Sequence, residues 1–118
     1  MTIRVLVVED DAIIAYDLAD ELTAMGYEVV GPASDCEQAL DLIERAGCDI
    51  AVLDVNLGPG VTSEPVAVEL KKRAIPFAVA SGYGHDQFPK IFREAPLLPK
   101  PVRVDLLVTR LHALGRSS

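Results

Sequence analysis

Ile3-Arg4-Val5-Leu6-Val7-Val8, running directly into Glu9-Asp10-Asp11, decides how this chain is read. A short, nearly continuous apolar run that ends in polar residues reads as a strand buried on both faces. The same event occurs three more times: Asp49-Ile50-Ala51-Val52-Leu53 runs into Asp54, Pro76-Phe77-Ala78-Val79-Ala80 into Ser81, and Pro96-Leu97-Leu98-Pro99 into Lys100. In an open parallel sheet, ligands bind at the carboxyl ends of the strands. Glu9, Asp10, Asp54, Ser81 and Lys100 should therefore converge on one edge of one sheet.

Between these runs the apolar period changes from strand to helix. Residues 11–25 read as a helix with Ile14, Leu18, Leu22 and Met25 on one face and Gly26 as its C-cap. Residues 27–30 read as a strand stopped by Gly31-Pro32. Ser34 and Glu37 fit a capping box for a helix that carries Ala39, Leu40 and Ile43 and ends near Gly47. Residues 49–53 form the third strand and 56–60 a loop by composition; Pro65 suits the first turn of a helix running to about Arg73. Residues 75–80 are the fourth strand, 81–84 a loop, 86–94 a weak helix and 97–98 a very short fifth strand. Val104, Leu107, Leu111 and Leu114 give the last helix its buried face, and residues 115–118 read as a frayed end. Strand and helix alternate five times. That order predicts an α/β fold, (βα)5, with a doubly wound five-stranded parallel sheet in the flavodoxin-like order 2-1-3-4-5.

The 118 residues suffice for one domain, which buries roughly two-thirds of its unfolded surface. Half the residues are hydrophobic, which argues against disorder. A net charge of −7 disfavours nonspecific binding to nucleic acid or to an anionic membrane. No helix pair suited to DNA is apparent. Cys36 and Cys48 lack metal-ligand spacing and read as buried small hydrophobes in a reducing compartment. No apolar run approaches the ~20 residues of a membrane span, and Arg4 inside the first run does not suit a signal peptide. The expected location is cytoplasmic.

Glu9, Asp10 and Asp54 lie at the ends of strands 1 and 3, neighbours in that order. Clustered carboxylates resist ionisation unless a cation is present, and an all-oxygen site suits Mg²⁺ or Mn²⁺. Asp54 follows a rigid strand and precedes a Gly-Pro-Gly loop, so it is the candidate nucleophile; a carboxylate can accept a phosphoryl group as an acyl phosphate. The charge on a transferring phosphoryl group needs donors around it, which Lys100 and Ser81 supply. Singly, each residue also suits a helix cap or a solvated surface; at consecutive strand ends they form a site.

Four motifs in order, Val7 to Asp11 (VVEDD), Leu53 to Asn56 (LDVN), Val79 to Gly84 (VASGYG) and Leu98 to Pro101 (LPKP), resemble the bacterial response-regulator receiver domains, CheY-like in fold. The resemblance covers essentially the whole chain and implies a single receiver domain over residues 1–118. It implies that Glu9 and Asp10 hold Mg²⁺ together with Asp54 and the backbone carbonyl of Asn56. It also implies that a sensor histidine kinase phosphorylates Asp54, that Ser81 hydrogen-bonds the phosphoryl group, and that Lys100 pairs with it. Asp11 matches a position that is usually not a ligand. In the family a conformational change then spreads to the face of helix 4, strand 5 and helix 5, where a downstream protein target reads it. Such a domain is a phospho-accepting signalling module and not an enzyme, beyond slow autodephosphorylation, whose rate family variation ties to Asn56 and Tyr83.

One position departs from the family. Receivers commonly carry Tyr or Phe three residues before the lysine, and here that residue is Leu97. Residues 76–84 resemble the FATGUY receiver subgroup, whose members also lack this aromatic; the match departs at Val79, where the motif has Phe, and at Ser81, where it has Thr. That resemblance points to a kinase of the HWE or HisKA2 type. Tyr83, flanked by glycines, is the candidate replacement for the missing switch residue.

Three rival readings share parts of this pattern. A phosphatase of the haloacid-dehalogenase type needs a second Asp two residues after the nucleophile, where this chain has Asn56. A flavodoxin needs a first loop rich in Ser, Thr and Gly to cradle phosphate, where this chain has three acids. A receiver-like interaction module that never turns over phosphate is the alternative, and the presence of all five site residues disfavours it.

Overall fold

The computed structural model describes residues 2–82, 88–100 and 102–116. Elements alternate along the chain as β1 (Arg4–Val8), α1 (Ala12–Ala24), β2 (Glu28–Ala33), α2 (Cys36–Arg45), β3 (Ile50–Asp54), α3 (Glu64–Lys72), β4 (Phe77–Ser81), α4 (Lys90–Arg93), β5 (Leu97–Pro99) and α5 (Val104–Arg116). The five strands form one parallel sheet in the order β2-β1-β3-β4-β5, as the alternation predicts.

Side chains alternate across each strand, and the core divides accordingly. Val5 and Val7 of β1, Ile50 and Val52 of β3, and Ala78 and Ala80 of β4 pack beneath Leu18 and Leu22 of α1 and Leu107 and Leu111 of α5. Leu6, Val8, Leu53 and Val79 point to the opposite face, against Ile43 of α2, Leu70 of α3 and Phe92 of α4. β3 is buried along its whole length. Its last residue, Asp54, is thereby held in the middle of the sheet's carboxyl edge. Cys36 and Cys48 are free thiols partly buried against the second layer. Burial, helped by the nearby Asp49 carboxylate, pushes the Cys48 thiol up to about 11.

Five expectations need correction. The buried face of α1 is Ala15, Leu18, Ala19 and Leu22. Ile14 and Met25 are exposed, at 45% and 53%, because alanines allow close approach to the sheet and Met25 lies past the last helical turn. The N-cap of α2 is Asp35, not Ser34: Asp35 accepts from the Gln38 N–H at 2.8 Å, and Gln38 Oε1 in turn accepts from the Ser34 N–H. The reciprocal spacing fits this pair equally well, and a carboxylate is the stronger acceptor. β2 does not stop at Gly31-Pro32 but runs to Ala33. It is an edge strand, where a proline without an N–H is tolerated, and its register against β1 slips by one residue there. Gly31, at φ +98°, makes the irregularity possible; a Cβ on it would lie 2.8 Å from the Ala33 nitrogen. The helix expected over 86–94 is a single turn, Lys90–Arg93, with residues 86 and 87 outside the described residues. Finally, α5 continues through Gly115 to Arg116, beyond the expected onset of fraying.

Candidate functional site

Glu9 and Asp54 are positioned by backbone bonds at or beside their strand ends. Glu9 follows β1, and its N–H donates to the Ala33 carbonyl at 2.9 Å, so the slipped end of β2 fixes where Glu9 begins. Asp11 then caps α1, its Oδ1 accepting from the N–H groups of Ile13 and Ile14 at 3.0 and 3.2 Å. With Asp11 satisfying the helix, Glu9 and Asp10 are left for other work. Glu9 Oε2 also accepts from the Asp11 N–H at 3.1 Å, which fixes its rotamer. Beside β3, the Val55 N–H donates to the Ala80 carbonyl at 3.0 Å, tying the residue after Asp54 to β4.

One oxygen from each of Glu9, Asp10 and Asp54 lies within 4.8 Å of the others. Glu9 and Asp54 are buried and Asp10 is exposed. Lys100 reaches across from the end of β5, its Nζ donating to Asp54 Oδ2 at 2.7 Å and to Glu9 Oε1 at 3.2 Å. Its backbone N–H donates to the Ser81 carbonyl at 3.0 Å, which locks the two outer strand ends together. Desolvation works against the Lys100 ammonium, but the hydrogen bond and charge of Asp54, joined by Glu9, outweigh it and raise the pKa. Partial desolvation and the Glu9 carboxylate push Asp10 above the usual carboxylate range, against the opposing pull of Lys100. Three carboxylates face one ammonium, an all-oxygen donor set short of positive charge, and that set fits a hard divalent cation.

Of the other residues singled out in the sequence, Ser81 is buried at the end of β4. Asn56 sits two residues past Asp54 in an isolated antiparallel bridge with Thr62. This loop is pinned by the Ser63 N–H donating to the Val55 carbonyl at 2.9 Å. Tyr83 lies outside the described residues. Leu97 pairs with Val79 and packs half-buried on the core layer.

Two features were not anticipated. Ser63, fully buried at the start of α3, has a hydroxyl without a hydrogen-bond partner; a serine before Glu64-Pro65 reads in sequence only as an ordinary helix cap. A cleft of about 520 Å³ also opens beside Asp54 and Lys100, walled by Ile14, Leu18, Val52, Ala80 and Val102. It gives solvent a path to the phosphoacceptor candidate, and the exposed Ile14 forms part of its wall.

Residues 5–112 match the family described as the response regulator receiver domain. The transcriptional regulatory protein PdtaR of Mycobacterium tuberculosis is 32% identical over 112 residues, covering 92% of this chain and 55% of that protein. The positive alginate biosynthesis regulatory protein of Pseudomonas aeruginosa is 36% identical over 118 residues, 96% of this chain and 47% of that one. The solution structure of SdrG from Sphingomonas melonis Fr1 superposes with a TM-score of 0.81 at 40% identity, covering 96% of each chain. The chain spans about half the length of the curated relatives it matches. No described helix is long and apolar enough to cross a membrane. With its sheet order and its acidic strand ends, the chain belongs to the response regulator receiver domains of two-component signalling, phospho-accepting modules and not enzymes in the ordinary sense.

Proposed function

We propose that Asp54 accepts a phosphoryl group from the phosphohistidine of a sensor histidine kinase and that the modified domain signals to a downstream protein. The observation that carries this reading is a buried carboxylate at the end of the central strand, 2.7 Å from an ammonium and beside two further acids. In the transfer, an Asp54 carboxylate oxygen attacks phosphorus, an O–P bond forms, the P–N bond to the kinase imidazole breaks, and the imidazole nitrogen keeps the electron pair. Glu9, Asp10, Asp54 and the Asn56 carbonyl are the residues that would hold Mg²⁺, or Mn²⁺ in its place. The cation would offset the charge of the transferring phosphoryl group. Lys100 holds Asp54 in place before transfer and supplies a fixed positive charge to the phosphoryl oxygens after it. Ser81 supplies a hydroxyl donor from the neighbouring strand.

Water reaching Asp54 through the adjoining cleft hydrolyses the acyl phosphate slowly, with Asn56 and Tyr83 setting the rate. Leu97 has no ring to swing, so Tyr83 serves as the moving group that passes the change to α4, β5 and α5. The subgroup resemblance favours a kinase of the HWE or HisKA2 type, the net charge of −7 favours a protein target in preference to nucleic acid, and the expected setting is cytoplasmic. The complete polar set weighs against a contact-only module.

Beryllofluoride, a phosphoryl mimic, tests the reading when added with Mg²⁺ to isotope-labelled protein. Amide shifts should move around Asp54, Ser81 and Lys100 and along α4–β5–α5, and Tyr83→Ala should confine them to the site. Absence of any shift at Asp54 would remove the phosphoacceptor; an unchanged distal pattern in Tyr83→Ala would remove Tyr83 from the switch.

A further inference from the structure

Charge is divided unevenly along the chain. Residues 1–70 hold 15 of the 18 acids and two of the 11 bases, so residues 71–118 carry a net positive charge within a protein of net −7. Part of that positive half surrounds an open groove of about 340 Å³, where the end of α3 and α4 meet the starts of β4 and β5. Its apolar surface comes from Ile75, Phe77, Ile91 and Pro96, each only partly buried. Apolar surface rimmed by charge marks interaction sites.

The rim is already occupied by an acid. Glu94 Oε2 accepts from Lys71 Nζ at 2.7 Å, Lys90 Nζ lies 3.9 Å from Oε1, and the charge of Arg93 acts on the same carboxylate. Lys71 is thus paired with this anion, Lys90 and Arg93 stand nearby as further positive charge, and the groups are exposed enough to exchange partners, Lys90 at 81%. The groove lies at the amino ends of β4 and β5, whereas Ser81 and Lys100 lie at or beyond their carboxyl ends.

We propose that this groove is the docking site for an acidic, amphipathic segment of a partner protein. An apolar side chain of that segment seats on Ile75, Phe77, Ile91 and Pro96, and its carboxylates take the place of Glu94 on Lys71, Lys90 and Arg93. The volume is at the low end of the range for small-ligand pockets, about 300–1,000 Å³, which suits one or two anchoring side chains. An anionic membrane would meet the same three cations but also the field of a net −7 protein; a narrow acidic segment can address the basic half alone. Docking would break the Lys71–Glu94 bond, which ties α3 to the single turn of α4. This proposal is independent of phosphoryl acceptance at Asp54.

The test uses two displayed libraries of helix-forming peptides with identical apolar spacing, one with surface positions drawn from Asp and Glu, the other from Lys and Arg. Both are selected on the immobilised full chain, and the recovered peptides are titrated in solution. The acidic library should enrich, and its peptides should perturb the amides of Phe77 and Ile91. Binding should tighten several-fold in Glu94→Gln and weaken roughly tenfold or more in Lys71→Glu with Lys90→Glu, given the energies of close interfacial charge pairs. Lys90→Glu alone, at an exposed site, should weaken it less and secures the result if the double variant misfolds. Enrichment of the basic library alone, no enrichment from either, or equal binding by the charge-reversed variants would overturn the proposal. So would binding to phosphatidylglycerol vesicles that the acidic peptides fail to displace, which would make the groove a lipid surface.

Discussion

The Lys100 ammonium is the one positive group between Asp54 and Glu9 among the described residues, and both acids are buried. Removing it leaves two carboxylates facing each other out of water, and the loss of one partner of such a group is strongly destabilising. Lys100→Met should lower stability in metal-free buffer by about 1–3 kcal/mol, the cost of leaving a buried polar group unsatisfied, and added Mg²⁺ should shrink the deficit. The folded pKa of Lys100 is raised above its ordinary 10.5. Its contribution is therefore fully present below that pH and fades as pH rises through the folded value. Urea titrations of both proteins should differ by a constant amount below pH 10.5 and converge only as the pH rises past it through the higher folded value. A gap that stays constant through this window would mean that the ammonium's charge does not support the fold. Glu9, Asp54 and Lys100 were legible in the sequence because a polar residue closing an apolar strand has one place to go. The Ala33 carbonyl that anchors Glu9, and the vacancy that Asp11 leaves by capping α1, were not, because backbone partners carry no mark in a side-chain pattern.

At the level of elements, α4 is a single turn, and what fixes it is Phe92, fully buried on the sheet with Phe88 edge-on at 6.3 Å. Phe92→Ala should cost about 3–5 kcal/mol and loosen the face proposed to carry the signal. Loss of protection from amide exchange should concentrate in α4 and β5. If denaturant midpoints fall by far less, α4 is not held by this ring. Edge strand β2 depends on Gly31 in the same way: a β-carbon there meets backbone at 2.8 Å, at a φ that other residues rarely adopt. Gly31→Ala should destabilise by about 1–2 kcal/mol and displace Glu9 through its bond to Ala33, measured as weaker Mg²⁺ binding. Undiminished Mg²⁺ affinity would uncouple β2 from the site. Helix and strand order was readable because the apolar period switches cleanly. Strand β2 was read too short because Gly-Pro ordinarily breaks a strand and only its edge position permits it to continue. The register of the α2 cap was missed because Ser34-Asp35 offers two acceptors one residue apart.

Across the whole molecule, the parallel winding that places α1 and α5 on one face and α2 to α4 on the other also places four strand ends on one edge. The site follows from topology: residues 9, 54 and 100 meet because β1, β3, β4 and β5 lie in sequence across the sheet. This was legible because strict alternation leaves few topologies. The basic-rimmed groove at the other end was not, since its residues come from four separate elements with no shared motif. The central claim is that this edge accepts a phosphoryl group on Asp54. The most direct measurement is the intact mass of the protein after incubation with Mg²⁺ and acetyl phosphate, beside Asp54→Asn treated identically. A gain of one phosphoryl group in the wild type, absent from the variant and absent when Mg²⁺ is chelated, is the predicted result; no gain, or an equal gain in Asp54→Asn, would contradict it.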